Sequence, residues 1–144
     1  MTPKTNVPQT HLISVAEMAG VDAEAIADHF VCENWTADLS TGLIALGPQA
    51  LAMHDLARAP CGIMTMINVY DRADRAKILA AFEEACGMST AFTFATTICV
   101  SPGIFRPVFC TGESDTSQGG SIRGLFAFSR LCLDTNGGRA RILN

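Results

Sequence analysis

Glu33-Asn-Trp-Thr-Ala-Asp-Leu-Ser-Thr-Gly42, followed by the apolar Leu43-Ile-Ala-Leu46, reads as a hairpin. Val31 to Ala37 alternates as a strand does, with Trp35 on one face. Asp38-Leu-Ser-Thr-Gly42 is built of turn residues, and Leu43 to Leu46 returns as a short strand. A second stretch fixes what comes next. Asn68-Val-Tyr-Asp-Arg-Ala-Asp-Arg75 runs straight into a helical pattern from Ala76 to Cys86. Asp71 or Asp74 caps that helix, Ile78, Leu79, Phe82, Ala85 and Cys86 form its buried face, and Gly87 ends it.

Between these stretches Gly47-Pro48 opens a short helix, because proline suits the first helical position. Residues 48–67 then read as short helical pieces broken at Pro60 and Gly62. After the long helix come three strands. In the first, Phe92, Phe94, Ile98 and Val100 share a face at period two. Ser101-Pro-Gly103 turns the chain, and the second strand runs from Ile104 to about Glu113. A polar loop leads to the third, Ser121 to Leu131, with Ile122, Phe126 and Phe128 on one face. Helices lie between two groups of strands, so the expected fold is α+β. It has a five-stranded antiparallel sheet with helices on one face, the other face being left for a partner.

The chain has 144 residues, enough for one domain with a sizeable core. Apolar residues make up 49% and charged residues 17%, which argues against disorder over most of the length. The net charge is −4 and the basic residues are scattered, so no basic face exists to replace phosphate counterions, and nucleic acid is not an expected partner. Residues 1–12 lack the apolar core of a secretory signal, and no apolar run approaches the roughly 20 residues of a membrane span. A cytoplasmic protein without membrane contact is expected. The six cysteines (32, 61, 86, 99, 110 and 132) lie far apart. In a reducing compartment they read as small buried hydrophobes, and no metal site is expected.

Ser14-Val-Ala-Glu17 is a capping-box pattern, so a helix follows it and extends through Phe30. Val15, Met18, Ala19, Ile26 and Phe30 fall on one apolar stripe, expected to serve either as packing on its own domain or as a dimer interface. Three regions result: residues 1–30 as an N-terminal extension and helix, 31–131 as the domain, and 132–144 as a polar tail.

Taken in order, these pieces resemble a PAS domain of the bacterial sensor type found in sensor histidine kinases and cyclic-dinucleotide enzymes. Trp35, Asp38, Thr41 and Gly42 match the family's Trp and its Asp-x-x-Thr-Gly turn. Tyr70-Asp-Arg-Ala-Asp-Arg75 partly matches the entry to the family's long helix. Gly103, Arg106 and Pro107 stand where the family has Gly-x-x-Arg-Trp, and Gly124 matches the last strand, whose end is here Ala127-Phe-Ser-Arg130. Pro107 departs from the pattern. Placed inside the sheet it lacks a ladder amide, so either a bulge there or a different strand assignment is expected. The resemblance implies a standalone sensory or regulatory module in signal transduction.

Catalytic and cofactor motifs are lacking. The three histidines (11, 29 and 54) are isolated. Haem-binding relatives take an axial His from the long helix, and Asp71 to Cys86 contains none; His54 or Met88 are the remaining candidates. Flavin photoreceptors carry Asn-Cys-Arg-Phe, whereas Cys61 lies in Ala-Pro-Cys-Gly. No cofactor and no catalysis are expected. What remains is an apolar interior of Trp35, Phe82, Phe92, Phe94, Phe126 and Phe128, either a filled core or a pocket for a small apolar or aromatic ligand. A signalling protein is the alternative partner, with the chain itself a homodimer. Two rival readings stand beside this one. The first is a cone-shaped α+β enzyme of the ketosteroid-isomerase type, which needs a buried Asp or Tyr/His dyad in an open cavity. The second is a purely structural dimer.

Overall fold

The hairpin forms as its residue types dictate: β1 (Phe30–Asp38) pairs antiparallel with β2 (Leu43–Leu46), Trp35 opposite Leu46. Asp38 ties the turn by accepting bonds from the Ser40 amide and hydroxyl, and Gly42 takes a φ of 72°. The computed structural model describes residues 28–134. The expected helix of residues 14–30 therefore lies largely outside the described residues, as do Val15, Met18, Ala19 and Ile26. Phe30 was expected on that helix. It is instead the first residue of β1, paired with Ser129, and its ring meets Phe109 edge-on at 5.5 Å.

Pro48 opens α1 (Pro48–Met53) at its first turn. Cys61–Gly62 forms a two-residue strand, β3, against β2, and α2 (Ile63–Ile67) follows. Asp71 accepts a bond from the Ala73 amide and caps α3 (Arg72–Gly87), which ends at Gly87. Ile78, Phe82 and Ala85 are its buried residues, with Leu79 partly buried. Cys86, expected on that face, is exposed. From Phe82, a step of three reaches the core at Ala85, and a step of four overshoots it. Of the six cysteines only Cys110 is buried.

Three long strands close the sheet: β4 (Ala91–Ser101), β5 (Ile104–Asp115) and β6 (Ser121–Ser129). α4 (Arg130–Asp134) follows at once, where the sequence suggested strand to Leu131. The sheet order is β3-β2-β1-β6-β5-β4, every pair antiparallel. The fold is α+β, with the five expected strands and the two-residue β3 as a sixth. Pro107 sits in β5 opposite Thr97 without a bulge of its own; the register shift lies further on, between Ile98 and Ser101. The β5–β6 ladder starts only at Val108, so at Pro107 the strand has a partner on one side, where proline is tolerated.

The core lies between α1–α3 and one face of the sheet. Alternation places Trp35, Phe94, Cys110, Phe126 and Phe128 on that face. The opposite face is closed at its centre: Leu125, Ala127 and Thr111 point away from the core, yet are buried.

Candidate functional site

The interior is organised by two glycines. Trp35 stands opposite Gly124, Gly124 opposite Gly112, and Gly112 opposite Phe92, so four strands contribute one row. A Cβ on Gly124 would collide with the Thr111 carbonyl and the Trp35 indole; one on Gly112 would collide with the Phe92 ring. The missing side chains give the two large rings their places.

Around this row the rings close a circuit. Centroid distances run Phe92–Phe94 6.3 Å, Phe94–Tyr70 5.8 Å, Tyr70–His54 5.4 Å and His54–Phe126 5.1 Å. They continue Phe126–Trp35 5.7 Å, Trp35–Phe82 6.0 Å and Phe82–Phe92 5.1 Å. Phe128 packs on His54 and Phe126 from outside the circuit. The structure thus brings all six expected interior aromatics together, packed on one another.

His54 and Tyr70 are polar members of this group, and sequence reading did not pair them. Each is fully buried. His54 Nδ1 lies 2.7 Å from the Ala50 carbonyl, which can only accept, so Nδ1 carries the proton. Nε2 is therefore the acceptor, and the Tyr70 hydroxyl donates to it at 2.7 Å. Sixteen residues separate the two, across helical pieces whose relative placement no local pattern encodes. The one available signal was that Tyr70 directly precedes the Asp71 cap, which fixes it at the mouth of α3.

α1 holds His54 in position, and two strands hold α1. The Glu33 carboxylate accepts from the Ala50 and Gln49 amides at 2.6 and 3.2 Å, serving the orphan donors of the helix start. At the other end an Arg106 guanidinium nitrogen donates to the Met53 carbonyl at 2.7 Å. Tyr70 is anchored by a bridge to Ile98 and by Arg75, which donates to its carbonyl. Asp74 accepts from the Thr96 hydroxyl at 2.7 Å and fastens α3 to β4. Two buried polar atoms lack nitrogen or oxygen partners among the described residues, Trp35 Nε1 and Thr111 Oγ1.

Burial lowers the His54 pKa to about 4; the Ala50 carbonyl opposes the shift, and Arg106 adds to it. Burial likewise raises the Tyr70 phenol well above its ordinary value. The pair is neutral at physiological pH. Because the folded His54 binds its proton less readily than the unfolded one, its contribution to stability is complete above about pH 6.5. It is lost as pH falls toward 4, about 3 kcal/mol over that window. Urea midpoints of the wild type and of His54→Gln between pH 7 and 4 should show a steep slope that the variant flattens. Equal slopes would refute this account.

The described residues contain no cluster of His, Cys, Asp and Glu able to hold a metal, and no helix among them is long and apolar enough to cross a membrane. His54, one candidate haem ligand, has both ring nitrogens engaged; Met88, the other, is exposed. An open cleft of about 590 Å³ lies away from the interior, lined by Asp38, Thr41, Pro60 and Gly120 among others. It contains no buried polar group.

No family model and no curated protein matches the chain. Solved structures do. A domain assigned to a light and redox sensing histidine kinase from Haloarcula marismortui aligns over 74% of this chain and 95% of its own, with a TM-score of 0.58 and 13% identity. The N-terminal domain of a diguanylate cyclase with PAS/PAC sensor from Marinobacter aquaeolei aligns over 69% and 93%, with a TM-score of 0.54 and 11% identity. An RNA-binding light-oxygen-voltage receptor aligns over 79% of this chain, with a TM-score of 0.57 and 12% identity; the chain spans 31% of that receptor's length. The fold is that of a PAS domain.

Proposed function

We propose that this chain is a sensory or regulatory module of signal transduction, binding a small apolar or aromatic molecule or a signalling protein, without catalytic activity of its own. The observation that carries this reading is the circuit of aromatic rings around a single neutral polar pair, on a fold that sensor domains share. The rival isomerase-type enzyme gains a buried Tyr/His dyad from the structure. Against it, both imidazole nitrogens are engaged, the dyad is packed among rings, and helices stand between the two groups of strands. The proposed compartment is the cytoplasm.

A homodimer completes the proposal, held by the apolar stripe Val15, Met18, Ala19 and Ile26. Most soluble homo-oligomers are two-fold dimers, and a self-complementary stripe suits that symmetry. Phe30 leaves this interface, because its ring is used against Phe109. Light scattering should give a dimer for the intact chain and a monomer for a chain beginning at Asp28. A monomeric intact chain, or equal dimerisation of both, would rule the arrangement out. For the sensory reading, native mass spectrometry with an absorbance scan on the intact protein should show no Soret or flavin band. A thermal-shift panel of apolar aromatics should yield at least one stabilising compound. An intact chain that carries no ligand or protein partner and is stabilised by no member of the panel would overturn it.

A further inference from the structure

Phe92 differs from every other ring in the circuit: it is half-buried, and the rest are buried. Its ring tip rests on Gly112, where a Cβ would come within 2.5 Å of Cζ. Phe82 closes one side of it at 5.1 Å, Trp35 another at 6.5 Å, and Phe94 lies nearly parallel to it, at 9°. Phe92 belongs to β4, the edge strand, so its side chain can turn outward without breaking the sheet. The space vacated would be ring-shaped, floored by Gly112 and walled by aromatic faces.

A second, independent observation concerns the Trp35 ring beside it. Trp35 is 2% exposed, and among the described residues its Nε1 has no nitrogen or oxygen acceptor. A buried donor left unpaired is costly, and in native structures such a group calls for an explanation. Burial raises the Cys110 thiol, and a hydrogen bond from the Trp35 side chain opposes it; a thiol is a weak acceptor, so this contact leaves the indole N–H short of a strong partner. The indole donates only, and His54 and Tyr70 already satisfy each other.

We propose that Phe92 is a removable plug, and that the ligand is a flat, uncharged aromatic molecule bearing one hydrogen-bond acceptor. Its ring takes the place of the Phe92 ring over Gly112, and its acceptor receives the Trp35 indole N–H. A charged ligand is disfavoured because these walls offer it no counter-charge. The inference rests on the sensory reading above and specifies what that site takes.

Trp35 is the only tryptophan of the chain, so it reports directly on the site. The probes are acetophenone, which has a ring and a carbonyl, and isopropylbenzene, which has the same shape without the acceptor. Phe92→Ala removes the competing ring and leaves an apolar cavity of the kind that takes up small aromatics. Titrations followed by tryptophan fluorescence should show Phe92→Ala binding acetophenone about tenfold tighter than the wild type does. It should prefer acetophenone to isopropylbenzene by roughly three- to tenfold, the contribution of one neutral hydrogen bond. A folded Phe92→Ala that gains no affinity, or that binds both probes equally, overturns the inference.

Should Phe92→Ala not fold, the wild type decides. Its indole N–H resonance should move downfield with millimolar acetophenone but not with isopropylbenzene, and an unmoved resonance overturns the inference. The two readings fail separately. A Phe92→Ala protein that gains nothing, beside an intact chain that copurifies with a small molecule, removes the plug and keeps the sensor. A gain as described, beside an intact chain that no member of the panel stabilises, keeps the slot and removes the sensor.

Discussion

Gly124→Ala should cost at least about 3 kcal/mol, and Gly112→Ala distinctly less, although the two glycines face each other across β5 and β6. The difference lies in what each new methyl group meets. At Gly124 it collides with a backbone carbonyl, that of Thr111, and with two indole carbons of Trp35 at 2.7 Å. Neither can withdraw: the carbonyl belongs to a paired central strand, and the indole is enclosed by Phe82, Phe92 and Phe126. At Gly112 the nearest atoms to the methyl all belong to the Phe92 ring, which stands at the rim and can turn away. Urea denaturation of both variants measures the difference. Equal losses would mean that the two methyl groups meet equally yielding neighbours.

Phe82→Ala should cost about 3–5 kcal/mol, the sum of lost burial and the cavity left behind. Phe82 is 3% exposed and is the ring through which α3 reaches the sheet, touching Trp35 at 6.0 Å and Phe92 at 5.1 Å. The cavity cannot collapse easily on its Trp35 side, because that indole is held against Gly124. A loss below about 1 kcal/mol would mean that α3 presents another face. Combined with Phe92→Ala the effect should not be additive, since the two rings share a contact.

What was legible in the sequence follows from how local each determinant is. Asp38 to Gly42 specifies its turn within five residues, and Asp71 caps α3 through a bond two residues away. The strands declared themselves by period two. Thr96 was the exception, a hydroxyl at a core-facing position whose partner, Asp74, lies in the preceding helix. Glu33 read as one more polar strand residue, yet it caps a helix that begins fifteen residues later. The donors to its carboxylate are the amides of a helix start, which the strand pattern around Glu33 cannot show. The His54–Tyr70 pair escaped for the same reason: each residue looks isolated until α1 and α3 are docked. Strand and helix periodicity places the six aromatics in one interior. That their rings touch in sequence around a circuit depends on Gly112 and Gly124 lying opposite each other, a matter of register between strands.

The register of β1 also governs how the chain must come together. Its ladder joins Phe30 to Ser129 and Asp38 to Ser121, so the earliest described strand is completed by the last. The β1–β2 hairpin closes over a few residues, but one edge of β1 stays open until β6 has been made and the loop between them has closed. Closing so long a loop has an entropic cost that must be met before the contact it permits is formed. On the ribosome the hairpin therefore waits as an unpaired apolar edge, with Trp35 uncovered, through synthesis of everything from α1 to β5. That interval, not the stability of the finished sheet, is when the protein is most open to mispairing with a second nascent chain.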